Sequence, residues 1–135
     1  MTLLKRTLPM AFCLALAVAA AAGPVSPDRK VAAVIDDDTV RLYDIGTGKE
    51  IRAMKGHAAA VTSVDFSPDG KWLATGGKDK NTIVWDVASG KQLCQFQGKA
   101  GVLQVQFSPN AKTLTITDAD NKATTVDAAT GKALK

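Results

Sequence analysis

Histidine occurs once in this 135-residue sequence, at position 57, and cysteine twice, at Cys13 and Cys94. A lone imidazole and two distant thiols do not match the Cys/His spacings of zinc sites, and the strained strand-to-helix motif of serine hydrolases is missing. Aromatic residues make up 5% of the chain. Without an aromatic platform interleaved with a basic stripe, there is no nucleic-acid footprint, although the sequence pI is about 9.2. The longest apolar run, Leu8 to Ala22, is shorter than the roughly 20 residues a bilayer-spanning helix needs.

That run has a specific context. Lys5 and Arg6 precede it, and Ala20-Ala21-Ala22 closes it with the small residues a signal peptidase requires. The expectation is a signal peptide over residues 1–22 and a periplasmic or secreted product of residues 23–135, with no stable membrane insertion after cleavage. An uncleaved anchor is the rival reading. A lipoprotein anchor at Cys13 is disfavoured, because Phe12 precedes that cysteine and the apolar run continues beyond it. Cleavage removes two of the 17 basic residues and none of the 13 acidic ones, so the net charge falls from +4 to +2. It leaves Cys94 alone, so no intramolecular disulfide is available in an oxidising compartment.

The remainder reads as β-structure built from a repeated unit. Val61 to Phe66 alternates in the two-residue period of a strand, and Ser67-Pro68-Asp69-Gly70 has the chemistry of a tight turn. Lys71 to Thr75 forms a second strand, and the polar cluster Gly76 to Asn81 breaks the pattern. Thr82 to Trp85 forms a third strand, and Lys91 to Phe96 a fourth, outermost one after the Ala88-Ser89-Gly90 turn. Tyr43-Asp44, Trp85-Asp86 and Val126-Asp127 lie 42 and then 41 residues apart, and the Gly-Lys pairs at 48, 90 and 131 keep the same register. A period near forty residues indicates four-stranded propeller blades.

The unit from Gly56 to Gly98 resembles a WD-repeat β-propeller blade, since it opens with Gly56-His57, turns at Ser67 to Gly70 and closes its third strand with Trp85-Asp86. The resemblance implies an all-β fold, a partial propeller of about three four-stranded antiparallel blades with units near residues 25–55, 56–97 and 98–135. The first is incomplete, because the signal segment stands where its innermost strand would be encoded. The third has four strand-like segments but a worn signature, with Lys99, Asn110-Ala111 and Val126 at the marker positions. The resemblance also implies a structural tetrad of Trp85, Thr75, His57 and Asp79, in which a buried indole, hydroxyl, imidazole and carboxylate satisfy one another.

No catalytic, cofactor-binding or metal-binding residue is read from the sequence. Ser63 and Ser67 have strand and turn explanations, and Asp36-Asp37-Asp38 is read as a turn, with Asp37 equivalent to Asp79, rather than as a calcium site. The resemblance implies a non-catalytic protein–protein interaction or scaffold module with a protein partner of unknown identity. The alternative is a fragment of a quinoprotein-like or other periplasmic propeller, since Asp44 to Lys49 and Asp127 to Lys132 form the Asp-x-x-Thr-Gly-Lys turns found there. An open arc is expected to leave apolar blade faces uncovered, favouring self-association or pairing with another propeller. Cys94, in the slot held by Arg52 one repeat earlier, is expected to face outward.

Overall fold

The alternating segments form ten strands in the computed structural model, which describes residues 25–134; the expected signal segment, residues 1–22, lies outside them. The strands are β1 (Val31–Asp36), β2 (Thr39–Asp44), β3 (Glu50–Lys55), β4 (Val61–Phe66), β5 (Trp72–Gly77), β6 (Asn81–Asp86), β7 (Gln92–Gln97), β8 (Val102–Phe107), β9 (Thr113–Asp118) and β10 (Ala123–Asp127). They make three antiparallel meanders of order β1-β2-β3, β4-β5-β6-β7 and β8-β9-β10. The fold is therefore all-β, with three consecutive blades.

The turn into the second strand of each blade is one device used three times. In the middle blade, Ser67 Oγ donates to Asp69 Oδ1 at 2.6 Å and accepts from the Trp72 N–H at 3.0 Å, while the same carboxylate oxygen accepts from the Lys71 N–H at 3.0 Å. Ser26 with Asp28 and Ser108 with Asn110 repeat it. The following residue is left-handed each time: Gly70 at φ 75°, Arg29 at 61° and Ala111 at 61°. Only glycine takes that conformation without steric cost.

The middle blade is buried on both faces. Leu73, Ile83 and Trp85 pack with Ala33, Val40, Leu42 and Met54 of the first blade. Ala74 and Val84 pack on the opposite side with Val105, Phe107, Leu114, Ile116 and Val126 of the third. Adjacent residues of one strand thus serve two different cores, which is why β5 and β6 read as almost continuously apolar.

Four features differ from the sequence reading. First, β5 runs on through Gly76 and Gly77, which were expected in the turn. Val102 and Val105 of the next blade crowd the place a Cβ on Gly76 would occupy, so close blade packing requires that glycine, not turn geometry. Second, the fourth segment of the third blade is a single bridge, Val126 to Ala133, with the Leu134 N–H donating to the Thr125 carbonyl at 2.7 Å.

Third, the face of the third blade turned away from the core is polar. The register aligns Gln104 with Thr117, Gln106 with Thr115, and Thr115 with Thr125, which is the composition of a capping repeat. The outward side of the first blade carries Arg41 between Asp36 and Glu50, at 2.7 and 3.0 Å. The expected uncovered apolar surface is therefore reduced at these positions, while Ile35 and Ile51 of the first blade and Leu103 of the third remain exposed. Fourth, Cys94 points inward: its Sγ donates to the Ala128 carbonyl at 3.2 Å, and it packs against the second core. Burial, followed by the Asp127 charge, raises its pKa, which disfavours the thiolate that disulfide formation needs.

Candidate functional site

The polar residues named from the sequence meet in the middle blade. Trp85, near the end of β6, donates its indole N–H to Thr75 Oγ1 on β5 at 2.9 Å. That hydroxyl lies 2.7 Å from His57 Nε2, and His57 Nδ1 lies 3.1 Å from both carboxylate oxygens of Asp79. Donor logic orients the chain: a hydroxyl accepting from the indole donates to Nε2, so Nδ1 carries the proton directed at Asp79. Every link is satisfied by a neutral imidazole. Asp79 is held in turn by the Ala58 N–H at 2.8 Å and the Asn81 N–H at 3.1 Å.

The site forms here for local reasons. Gly56 lets the chain pass beside the indole, since an added Cβ would lie 2.9 Å from Trp85 Cη2, and a Cβ on Gly77 would lie 2.8 Å from both Asp79 Oδ1 and His57 Nδ1. The neighbouring blades lack the set. The repeat places Val34 and Tyr43 where the middle blade has Thr75 and Trp85, and Lys99, Ile116, Asp120 and Val126 where it has His57, Thr75, Asp79 and Trp85. Asp37 does not take the role of Asp79. The turn in the first blade is one residue shorter, so Asp37 occupies the left-handed position, at φ 55°, that Lys80 occupies in the middle blade.

Electrostatics fix the ionisation of the carboxylate. Burial alone would raise the Asp79 pKa, but the Ala58 N–H, His57 and the Asn81 N–H together outweigh it and hold the carboxyl below its ordinary 3.8. A depressed carboxylate contributes stability that is present above its unfolded-state pKa and lost as pH falls through its folded-state pKa. Asp79→Asn should therefore lower stability at neutral pH and flatten its decline below about pH 4. Asp28 and Asp69 are also depressed by their serine partners, so the slope should shrink rather than vanish. Urea midpoints collected from pH 2 to 7 check this, and identical acid slopes in both proteins would refute it.

Several bridging residues escaped the sequence reading. Thr62 donates to the Val102 carbonyl, Ser63 Oγ accepts from the Val105 N–H at 3.2 Å, and Asp65 Oδ2 accepts from the Phe107 N–H at 2.8 Å. One inner strand thus grips the next through side chains. Burial raises the Asp65 pKa despite the Phe107 and Phe66 N–H donors. Polar residues at successive positions of an otherwise apolar strand were the available signal. Farther out, Arg52 Nη2 donates to the Ala88 carbonyl at 2.8 Å, a cross-blade bond from the slot that Cys94 holds one repeat later. Ser63 and Ser67 are engaged away from His57, and no group of three metal-binding side chains occurs among the described residues.

Comparison with known proteins gives a consistent picture. The family model described as "WD domain, G-beta repeat" matches residues 48–86, which is β3 to β6, one strand out of step with the sheet. The target of rapamycin complex subunit wat1 of Schizosaccharomyces pombe is 45% identical over 65 residues, covering 47% of this chain and 21% of that protein. The nuclear distribution protein nudF of Aspergillus niger is 39% identical over 62 residues, covering 46% and 14%. The chain thus spans about a fifth or less of these curated relatives. The β-propeller domain of Cps50 (Swd1) from Myceliophteria thermophila superimposes with a TM-score of 0.73 at 24% identity, covering 77% of this chain and 34% of that one, which is a likeness of fold.

Proposed function

Because the chain belongs to the WD-repeat β-propeller family, we propose that it is an exported, non-catalytic interaction module that presents its blade-top loops to a protein partner. The observation that carries this reading is the closed hydrogen-bond chain from Trp85 to Asp79. The hydroxyl that the one imidazole faces, Thr75 Oγ1, belongs to a residue with no solvent exposure and accepts from the Trp85 indole, so the pair is closed to a substrate and serves the fold. The loop Ala58-Ala59-Ala60 lies directly over that chain, with Ala58 and Ala60 tied to Asp79 and Lys78, so its backbone is held in place for recognition.

Two measurements test it. N-terminal sequencing of protein recovered from the exported fraction should find residues 1–22 gone; intact Met1 in the membrane fraction would replace export with anchoring. A photo-crosslinking amino acid placed at Ala59 should trap one discrete partner that the same probe at Thr125, on the outward face, does not trap. Equal labelling from both positions, or none from Ala59, would count against loop-mediated binding.

A further inference from the structure

The third blade lacks the imidazole and hydroxyl of the middle one, and a cavity opens beside the residues that replace them. A cavity of about 220 Å³ lies between β7 and the strands of the third blade. Its apolar wall is Phe96, Val102 and Ile116, and its rim carries the three ammonium groups of Lys80, Lys99 and Lys122. Lys99 and Ile116 are the repeat counterparts of His57 and Thr75, and these two of the three replacements that remove the tetrad line an apolar slot with a cationic mouth.

The charge at the mouth is available for a ligand. Among the described residues none of the three lysines forms an ion pair. The one acidic lining residue, Asp118, accepts the Asp120 and Lys122 backbone N–H groups on one oxygen, at 2.9 and 3.0 Å, within its own turn. Lining charge is therefore positive by two. Val102 and Ile116 are buried, whereas the lysines are exposed, so an entering group meets ammonium first and hydrocarbon deeper. The volume falls below the roughly 300–1,000 Å³ typical of sites for whole small molecules and suits one large side chain.

We propose that this slot receives a peptide segment of the protein partner in which one large apolar side chain is flanked by carboxylates. The apolar side chain displaces water from Phe96, Val102 and Ile116, and the flanking carboxylates engage Lys80, Lys99 and Lys122. This deepens the interaction reading above by giving the chemistry of what is recognised. Because the lysines are solvent-exposed, their contribution is screened by salt over a Debye length of about 10 Å at 0.1 M.

The test uses the full chain and three probes: acetyl-Glu-Leu-Glu-amide, acetyl-Lys-Leu-Lys-amide and acetyl-Glu-Ala-Glu-amide. Methyl NMR should show the first probe shifting the Val102 and Ile116 resonances in a saturable, salt-sensitive way, with little response to the other two. Lys99→Glu combined with Lys122→Glu alters only exposed side chains and should weaken that binding at least about tenfold, while the amide spectrum remains that of the folded protein. Shifts confined to other residues, equal response to all three probes, insensitivity to the charge reversal, or no response at millimolar concentration would overturn the proposal. Isovalerate binding as tightly as the peptide would reassign the slot to a free carboxylate. If the crosslinked partner persists from Ala59 while the peptide fails, the slot alone is wrong and the interaction reading stands.

Discussion

Trp85→Ala should lower the unfolding free energy by about 3–5 kcal/mol, the range for removing a large buried aromatic side chain. The indole is 2% exposed, sits in the core shared by the first two blades with Leu73 and Ile83, and lies against Gly56 so closely that the backbone has no side chain there. Small domains hold together by only about 5–15 kcal/mol in total, so the loss is a large fraction of the whole and the unfolding midpoint should fall steeply. Trp85→Phe separates two contributions, since it keeps much of the hydrocarbon contact but loses the N–H. Urea unfolding followed by far-ultraviolet circular dichroism reads both. A midpoint for Trp85→Ala within error of the parent would show that the indole is dispensable to the core.

The second large effect is expected from a change that hardly alters volume. Thr75→Val removes the hydroxyl that accepts from Trp85 Nε1 and donates to His57 Nε2, and it does so at a residue with no solvent exposure. Two buried polar groups lose their partner together, and each stranded group costs about 1–3 kcal/mol. His57→Ala removes a different link, leaving Asp79 with its backbone donors at Ala58 and Asn81. Because both variants cut one network, the double variant should depart from additivity by about 0.5–3 kcal/mol. Additive midpoints would mean that the contacts do not act as a chain. If His57→Ala kept the parental midpoint while the Ala59 crosslink to the partner disappeared, the imidazole would be a recognition group and not a structural one.

The parts of this fold legible in the sequence are those set by local chemistry. Serine followed by proline and a short acidic or amide residue specifies its own turn, and three copies 41 residues apart marked the blade count and the entry to each blade's second strand. Trp85, Thr75, His57 and Asp79 were legible only through the resemblance to a WD-repeat blade, which the Gly56-His57, Ser67-to-Gly70 and Trp85-Asp86 markers carry. Contacts across blades were not. Gly76 looks like a turn glycine until Val102 and Val105 of the next sheet are brought against it. Cys94 was misplaced because its counterpart is Arg52, and a charged residue on an outermost strand is ordinarily taken to face water. In the structure the Arg52 stem crosses the interface toward Gly90, and its guanidinium reaches the Ala88 carbonyl, so charge at that slot carries no information about direction. The slot beside Ile116 was equally hidden, being a product of what two blades fail to fill.

The burial of the middle sheet on both faces also bears on how the molecule comes apart. Among the described residues each outer sheet is held by one interface, and each can detach while the other interface persists; β5 and β6 are freed only when both are lost. Opening in such stacked arrays proceeds from the ends. Amides of β1 and β10 should therefore exchange with solvent through fraying, whereas those pairing Leu73 with Trp85 and Ala74 with Val84 exchange at the rate of whole-molecule unfolding. A protease should therefore cut within the outer sheets before it cuts the central one, which contains the indole, hydroxyl and imidazole.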